Sequence, residues 1–145
     1  MKSSLVKALI LLLPALLAAQ PGVPRDVEFT LMRIEHAIQT SNPTSIENLL
    51  TMNTMMRLGD SLYWSASRIK TLDLLKAWFS DKDSIVFRFD SPGTGRLMYS
   101  IAGKRDTVNV DVWLSRSRGE VGLYALNISN YPLATVFMNI HPAHK

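Results

Sequence analysis

Apolar and polar positions alternate along the chain in two distinct rhythms, and the change between them divides it. From Asp26, Phe29, Met32, Ile34, Ala37 and Ile38 recur about every three to four residues, the spacing of an amphipathic helix. Asp26 is a suitable N-cap for it, and Thr40-Ser41-Asn42-Pro43 ends it. Thr44-Ser45-Ile46-Glu47 has the form of a capping box, so a short second helix using Ile46, Leu49 and Leu50 is expected next. Thr54–Leu58 and Ser61–Trp64 read as a short hairpin around Gly59-Asp60. A third helix follows, capped by Ser65 or Ser67, with a stripe of Ile69, Leu72, Leu75, Trp78 and Phe79 and with Leu74 nearby. Ser80-Asp81-Lys82-Asp83 stops it.

After that the period becomes two. Ile85, Phe87 and Phe89 share one face of Ser84–Asp90, and Leu97, Tyr99 and Ile101 share one face of Arg96–Ala102. In Thr107–Ser115 the residues Val108, Val110, Val112 and Leu114 alternate with Asn109, Asp111 and Trp113. Val121–Ile128 is the last long strand. Short turn clusters separate these runs, as in an antiparallel meander with one buried face. Helices grouped ahead of such a sheet define an α+β fold, with N-terminal helices packed on a curved antiparallel sheet.

The first residues have a different logic. Lys2 and Lys7 flank the start of an apolar run from Ala8 to Ala19, which Gln20-Pro21-Gly22 closes. A basic start, a short apolar stretch and small residues before a polar break make a secretory signal. The run is shorter than the roughly 20 apolar residues that span a bilayer. Cleavage is expected between Ala19 and Gln20. The chain then divides into a signal over 1–19, a Pro/Gly leader over 20–25, one α+β domain over 26–130 and a tail over 131–145. The mature protein is expected in the periplasm or outside the cell, without a transmembrane segment.

Removing Lys2 and Lys7 lowers the formal charge from +4 to +2. Nucleic-acid binding calls for a basic stripe that neutralises several phosphates. Lys104-Arg105 and Arg116/Arg118 sit in separate turns, so no nucleic-acid partner is expected. The chain has no cysteine, which excludes thiol catalysis and thiolate metal sites.

The helix ending in Trp78-Phe79, the strand and Gly-containing turn after it, the Tyr99-x-Ile101-x-Gly103 strand end and the two closing strands resemble a bacterial family. It is the exported domain of unknown function numbered 4783. That family is similar to the nuclear-transport-factor-two and ketosteroid-isomerase superfamily, a cone of helices on a curved sheet. The resemblance covers roughly Val27 to Ser129. Members often carry a His-Gly pair after the first long strand. Here that stretch reads Asp90-Ser91-Pro92-Gly93, so no histidine role transfers.

The superfamily implies a pocket for a small apolar ligand or for proton-transfer chemistry, which needs a carboxylate base and a donor facing each other in an apolar cavity. Tyr99 and Tyr124 are candidate donors, and Asp90 and Asp111 candidate carboxylates. Asp111 shares a strand face with Asn109 and Trp113, away from the valines. His36 on the first helix and Trp78 complete the candidate ligand-binding set of Tyr99, Tyr124, Trp78 and His36. No catalytic residue is assigned. His141 and His144 flank Pro142 in the tail and are not read as metal ligands; neither metal nor cofactor is expected. No serine lies in a Gly-x-Ser-x-Gly elbow. Ser91–Arg96 lacks a Walker lysine. Asn127-Ile128-Ser129 matches a glycosylation acceptor but lies at a strand end. Met52, Met55 and Met56 beside Trp64 either fill a small core or line an adaptable surface.

The sequence therefore predicts a non-catalytic module that binds a small apolar ligand, a second copy of itself or an envelope protein. The alternative is an isomerase- or cyclase-like enzyme using a cone-shaped apolar pocket.

Overall fold

The computed structural model describes residues 22–131. The signal segment Met1–Ala19, the tail histidines His141 and His144 and most of the expected tail lie outside the described residues. Helix α1 spans Arg25–Gln39 and a 3-10 segment spans Pro43–Leu49. Strands β1 (Leu50–Leu58) and β2 (Ser61–Ala66) precede helix α2 (Arg68–Phe79). Four strands complete the described residues: β3 (Asp83–Ser91), β4 (Thr94–Ile101), β5 (Lys104–Ser117) and β6 (Glu120–Ser129).

All six strands form one sheet in the order β2-β1-β6-β5-β4-β3. The expected meander is present from β3 to β6. The sheet is not antiparallel throughout, however, because β1 pairs parallel with β6. The hairpin β1–β2 leaves the helical segment, joins the far side of β6 and makes the sheet mixed. Alternation within β1 reports only that one of its faces is buried. It carries no record of a partner some seventy residues away.

The helices cover one face. On that inner face a row runs Leu58–Ile128–Val110–Gly95–Phe89 across five strands. A parallel row joins Val108, Leu97 and Phe87. Leu31, Ile34, Ala37 and Ile38 of α1 and Leu72, Leu75 and Phe79 of α2 complete the core. Each such aliphatic side chain contributes about 1.5–3 kcal/mol when fully buried. The Phe87 and Phe89 rings meet edge-on at 5.0 Å. Gly95 makes room for them: a Cβ there would meet the Phe87 ring at 2.9 Å and would press into the Arg88 carbonyl oxygen.

Several local expectations change. Asp26 is not the N-cap of α1; Pro24 holds that place without a side-chain bond. The Asp26 carboxylate binds its neighbour's Val27 amide and Arg116 instead. Phe29 and Met32 are exposed. At 100° per residue Phe29 lies about 140° round the helix from Ile34, off the buried stripe of Thr30, Leu31, Ile34, Ala37 and Ile38. The capping box does not form: the 3-10 segment has Asn42 at its N-cap and no side-chain cap bond. Leu50 belongs to β1, not to the second helix. Because β2 runs on to Ala66, the cap of α2 is Ser67, whose hydroxyl accepts the Lys70 amide at 3.2 Å. Ile69 is exposed. Of the methionines, Met56 is core and Met52 is exposed, so the cluster is divided between both of its expected roles.

Candidate functional site

Between helices and sheet the described residues pack closely around the core. Among the described residues it holds a void of about 10 Å³, lined by Ile34, Ile46, Leu75, Phe79, Leu123 and Leu126. That is room for at most about one water.

The four candidate ligand-binding residues do not converge. Trp78, near the end of α2, and Tyr99, near the end of β4, do meet, edge-on at 5.5 Å. The Lys82 ammonium lies 3.9 Å from the centre of the Trp78 ring and donates to the Trp78 carbonyl and to Asp81. The Tyr99 hydroxyl donates to Asp106 at 3.2 Å. Burial, and then the Asp106 carboxylate beside it, raise the Tyr99 phenol above its ordinary value. Tyr99 therefore stays protonated, and its proton is already directed at a carboxylate. Asp106 also accepts the Thr107 amide. This pair is a closed structural bond rather than a donor facing a free base.

His36 and Tyr124 are exposed and stand apart from that pair. Asp90 is exposed. Asp111 faces away from the valines, as its strand position predicts, but it is buried at 3% exposure. It accepts from the Asn127 amide at 2.8 Å, and Asn127 accepts from the Ser129 hydroxyl at 2.6 Å. Asn127 itself is fully buried, so the glycosylation triplet is a structural element of the sheet. Among the described residues no three His, Cys, Asp or Glu are grouped to hold a metal, and no helix is long and apolar enough to cross a membrane.

The accessible space lies elsewhere. A groove of about 710 Å³ runs between α1 and the outer face of β3–β4, lined by Glu35, His36, Gln39, Val86, Arg88, Arg96 and Met98 among others. Its α1 wall also protects the sheet. β3 is an edge strand, and an edge exposes unpaired amides and carbonyls that invite pairing with other chains. Gln39 accepts the Phe87 amide at 2.6 Å and donates to the Ile85 carbonyl at 3.2 Å. Glu35 accepts the Phe89 amide at 3.0 Å. Two side chains one helical turn apart thus meet amides two residues apart along the strand.

The floor of the groove is set by register. Arg88 lies directly opposite Arg96, and Arg96 lies opposite Asn109 of β5. One step along, Val86, Met98 and Thr107 form the next row. Val86 and Met98 are each about half exposed, at 50% and 52%. The alternation of the sequence identified the inner face and left this outer one unread. Counting back from the turn would set Arg88 opposite Leu97. The irregularity between Phe89 and Ser91 shifts the pairing by one and brings the two arginines together.

No protein-family profile matches the sequence, and no curated protein matches it. Solved structures do. A DUF4783 family protein from Bacteroides uniformis aligns with a TM-score of 0.53 at 11% identity, over 70% of this chain and 96% of that one. Another, from Bacteroides fragilis, aligns at 0.54 and 12% identity, over 68% and 96%. The protein Rd1NTF2_04 with long sheet aligns at 0.55 and 16% identity, over 70% and 98%. The structural neighbours repeatedly carry the DUF4783 name that the sequence resemblance pointed to, and the fold is α+β and nuclear-transport-factor-two-like.

Proposed function

We propose that the mature chain is an exported, non-catalytic interaction module whose working surface is the outer face of the sheet beside α1. One contrast carries this reading. The interior offers about 10 Å³, whereas the groove along β3 and β4 offers about 710 Å³. Sites for small molecules measure roughly 300–1,000 Å³, so the void that the described residues enclose between helices and sheet is too small for an apolar ligand, and the outer groove is the larger accessible surface. The bulged strands support a sheet curled around its helices in the manner of the superfamily cone. The basic, then apolar, segment over 1–19 supports export. The Tyr99–Asp106 bond weighs against the isomerase-like alternative, since the donor and the carboxylate satisfy one another.

The test is native mass spectrometry of the protein recovered from its producer's envelope. The expected species lacks residues 1–19 and carries a second protein or a second copy. A bare monomer with a reproducible small-molecule adduct, or one retaining Met1, overturns the corresponding half of the proposal.

A further inference from the structure

Exposure on the outer face of the sheet changes along single rows of paired residues. One row runs Ser129–Asn109–Arg96–Arg88 from β6 to β3. Ser129 is buried, Asn109 is half-buried, and both arginines are exposed. The next row runs Arg57–Asn127–Asp111–Thr94–Ser91 from β1 to β3. Asn127 and Asp111 are buried, Thr94 is half-buried and Ser91 is exposed. In a third row Ala125 lies between Met55 and Trp113. Ser129, Asn127, Asp111 and Ala125 are each at most 3% exposed. The helices and the 3-10 segment direct their buried residues into the core on the opposite face. A sheet face with nothing packed on it is solvated, as it is at Arg88 and Arg96. Burial of four successive outer-face residues calls for a layer over β6 and β5 that stops short of β3.

Tyr131, the last described residue, stands at the border of this patch. Its amide donates to the Ser129 hydroxyl oxygen at 3.3 Å, and its hydroxyl donates to Asp60 at 3.2 Å. The Arg57 guanidinium lies 4.3 Å from the centre of its ring, and Arg57 is the row neighbour of Asn127. The chain thus leaves β6 on the outer face, beside the buried residues. Residues 132–140 follow, with no ionisable group and with Leu133, Ala134, Val136, Phe137, Met138 and Ile140 among them. Nine extended residues reach about 30 Å. From β1 to β5 is two interstrand steps, about 10 Å, so the segment is long enough to cross. The patch is bordered by Met55, Leu62 and Trp113, all half-buried and apolar enough to receive it. We infer that residues 132–140 of the same chain pack across the outer face of β1, β6 and β5, over Asn127 and Asp111, and leave the groove beside α1 open. A second copy would have to reach the patch past Tyr131, whereas this segment begins there. The inference is independent of what the groove binds.

The test is hydroxyl-radical footprinting of the whole chain from Gln20 onward, read by mass spectrometry and compared with the double variant Val136→Asp/Phe137→Asp. Two carboxylates in the segment make its burial costly and should release it. Labelling of Met55 and Trp113 should then rise several-fold. Met52 and Met98, already exposed, and Met56, in the core, should stay as they are. Equal labelling of Met55 and Trp113 in the two proteins overturns the inference. Labelling of Met56 would show that the variant has unfolded, and a second measurement then decides. The chain has no cysteine, so Thr135→Cys places a single nitroxide on the segment. The nitroxide should broaden the amide signals of Met55, Asn127 and Trp113 within its own molecule. A mixture of nitroxide-bearing chains with isotope-labelled chains should show no such broadening. Sharp signals at Asn127 in the first sample overturn the inference. Broadening in the mixture alone also overturns it and gives the face to a second copy.

Discussion

The side-chain oxygen of Gln39 accepts the backbone amide of Phe87 at 2.6 Å, and its amide returns to Ile85. A helix side chain here does the work of a missing strand. Gln39→Ala removes both bonds and is expected to lower stability by about 1–2 kcal/mol. The Phe87 amide should then exchange with solvent faster than its neighbours, and the bared edge should promote association at high concentration. Urea unfolding and hydrogen exchange measure the two effects. Unchanged exchange at Phe87 would show that the edge is protected by something else.

Asn127 connects Asp111 to Ser129 on the outer face, and all three are buried. Asn127→Ala takes away the amide that Asp111 accepts and the carbonyl to which Ser129 donates. A buried polar group deprived of its partner costs about 1–3 kcal/mol, and more when charged. Asn127→Ala should therefore reduce the unfolding free energy by about 3 kcal/mol, at the upper end of that range. Asn127→Asp should also destabilise, because it places two carboxylates face to face. Equal stability of all three proteins in chemical denaturation would contradict this account.

Gly95 lies between the Phe87 ring and the β3 backbone. Its φ is ordinary, so the constraint is space rather than conformation. Gly95→Ala should cost about 1–3 kcal/mol, the usual range for overpacking. It should also loosen the β3–β4 pairing that sets Arg88 against Arg96. The melting temperature tests the first effect and amide exchange at Arg96 the second. Gly103→Ala is the control, since a Cβ there meets nothing within 4 Å while the positive φ of 82° still imposes backbone strain.

Arg116 holds Asp26 through two bonds, 2.6 and 2.9 Å long, and so ties the first turn of α1 to the end of β5. The guanidinium hydrogen bonds hold the Asp26 carboxyl below its ordinary value of 3.8. A carboxylate depressed in the folded state stabilises above its unfolded pKa. That contribution is lost as pH falls through the folded value. Arg116→Ala should therefore be slightly less stable than the unaltered chain at neutral pH and equal to it in strong acid. The neutral-pH gap should also narrow in high salt, because both groups are exposed. A gap that persists in acid would assign the effect to packing of the arginine stem instead.

Periodicity alone determined much of this protein. The strands β3 to β6 follow the period-two runs closely, with Phe87, Phe89, Leu97, Val108 and Val110 facing inward as their spacing requires. Helix α2 was legible for the same reason, with its cap narrowed to Ser65 or Ser67: capping and amphipathic stripes are local, and their signals lie within a few residues of each other. Trp78 and Tyr99 each lay on an apolar stripe that the spacing identified, while their edge-on meeting is a contact of the folded structure.

Only the tertiary structure decided what depends on long-range register. The parallel pairing of β1 with β6 links positions that share no local pattern. The hydrogen bond that buried Asp111 accepts depends on Asn127 arriving beside it from another strand. The meeting of Arg88 and Arg96 turns on a one-residue shift within β3. Glu35 and Gln39 look like ordinary solvated helix residues until a strand edge lies beneath them. In each case one residue's role is set by a neighbour distant in sequence. Hydrophobic spacing records which face is buried, and only the folded register records what stands opposite.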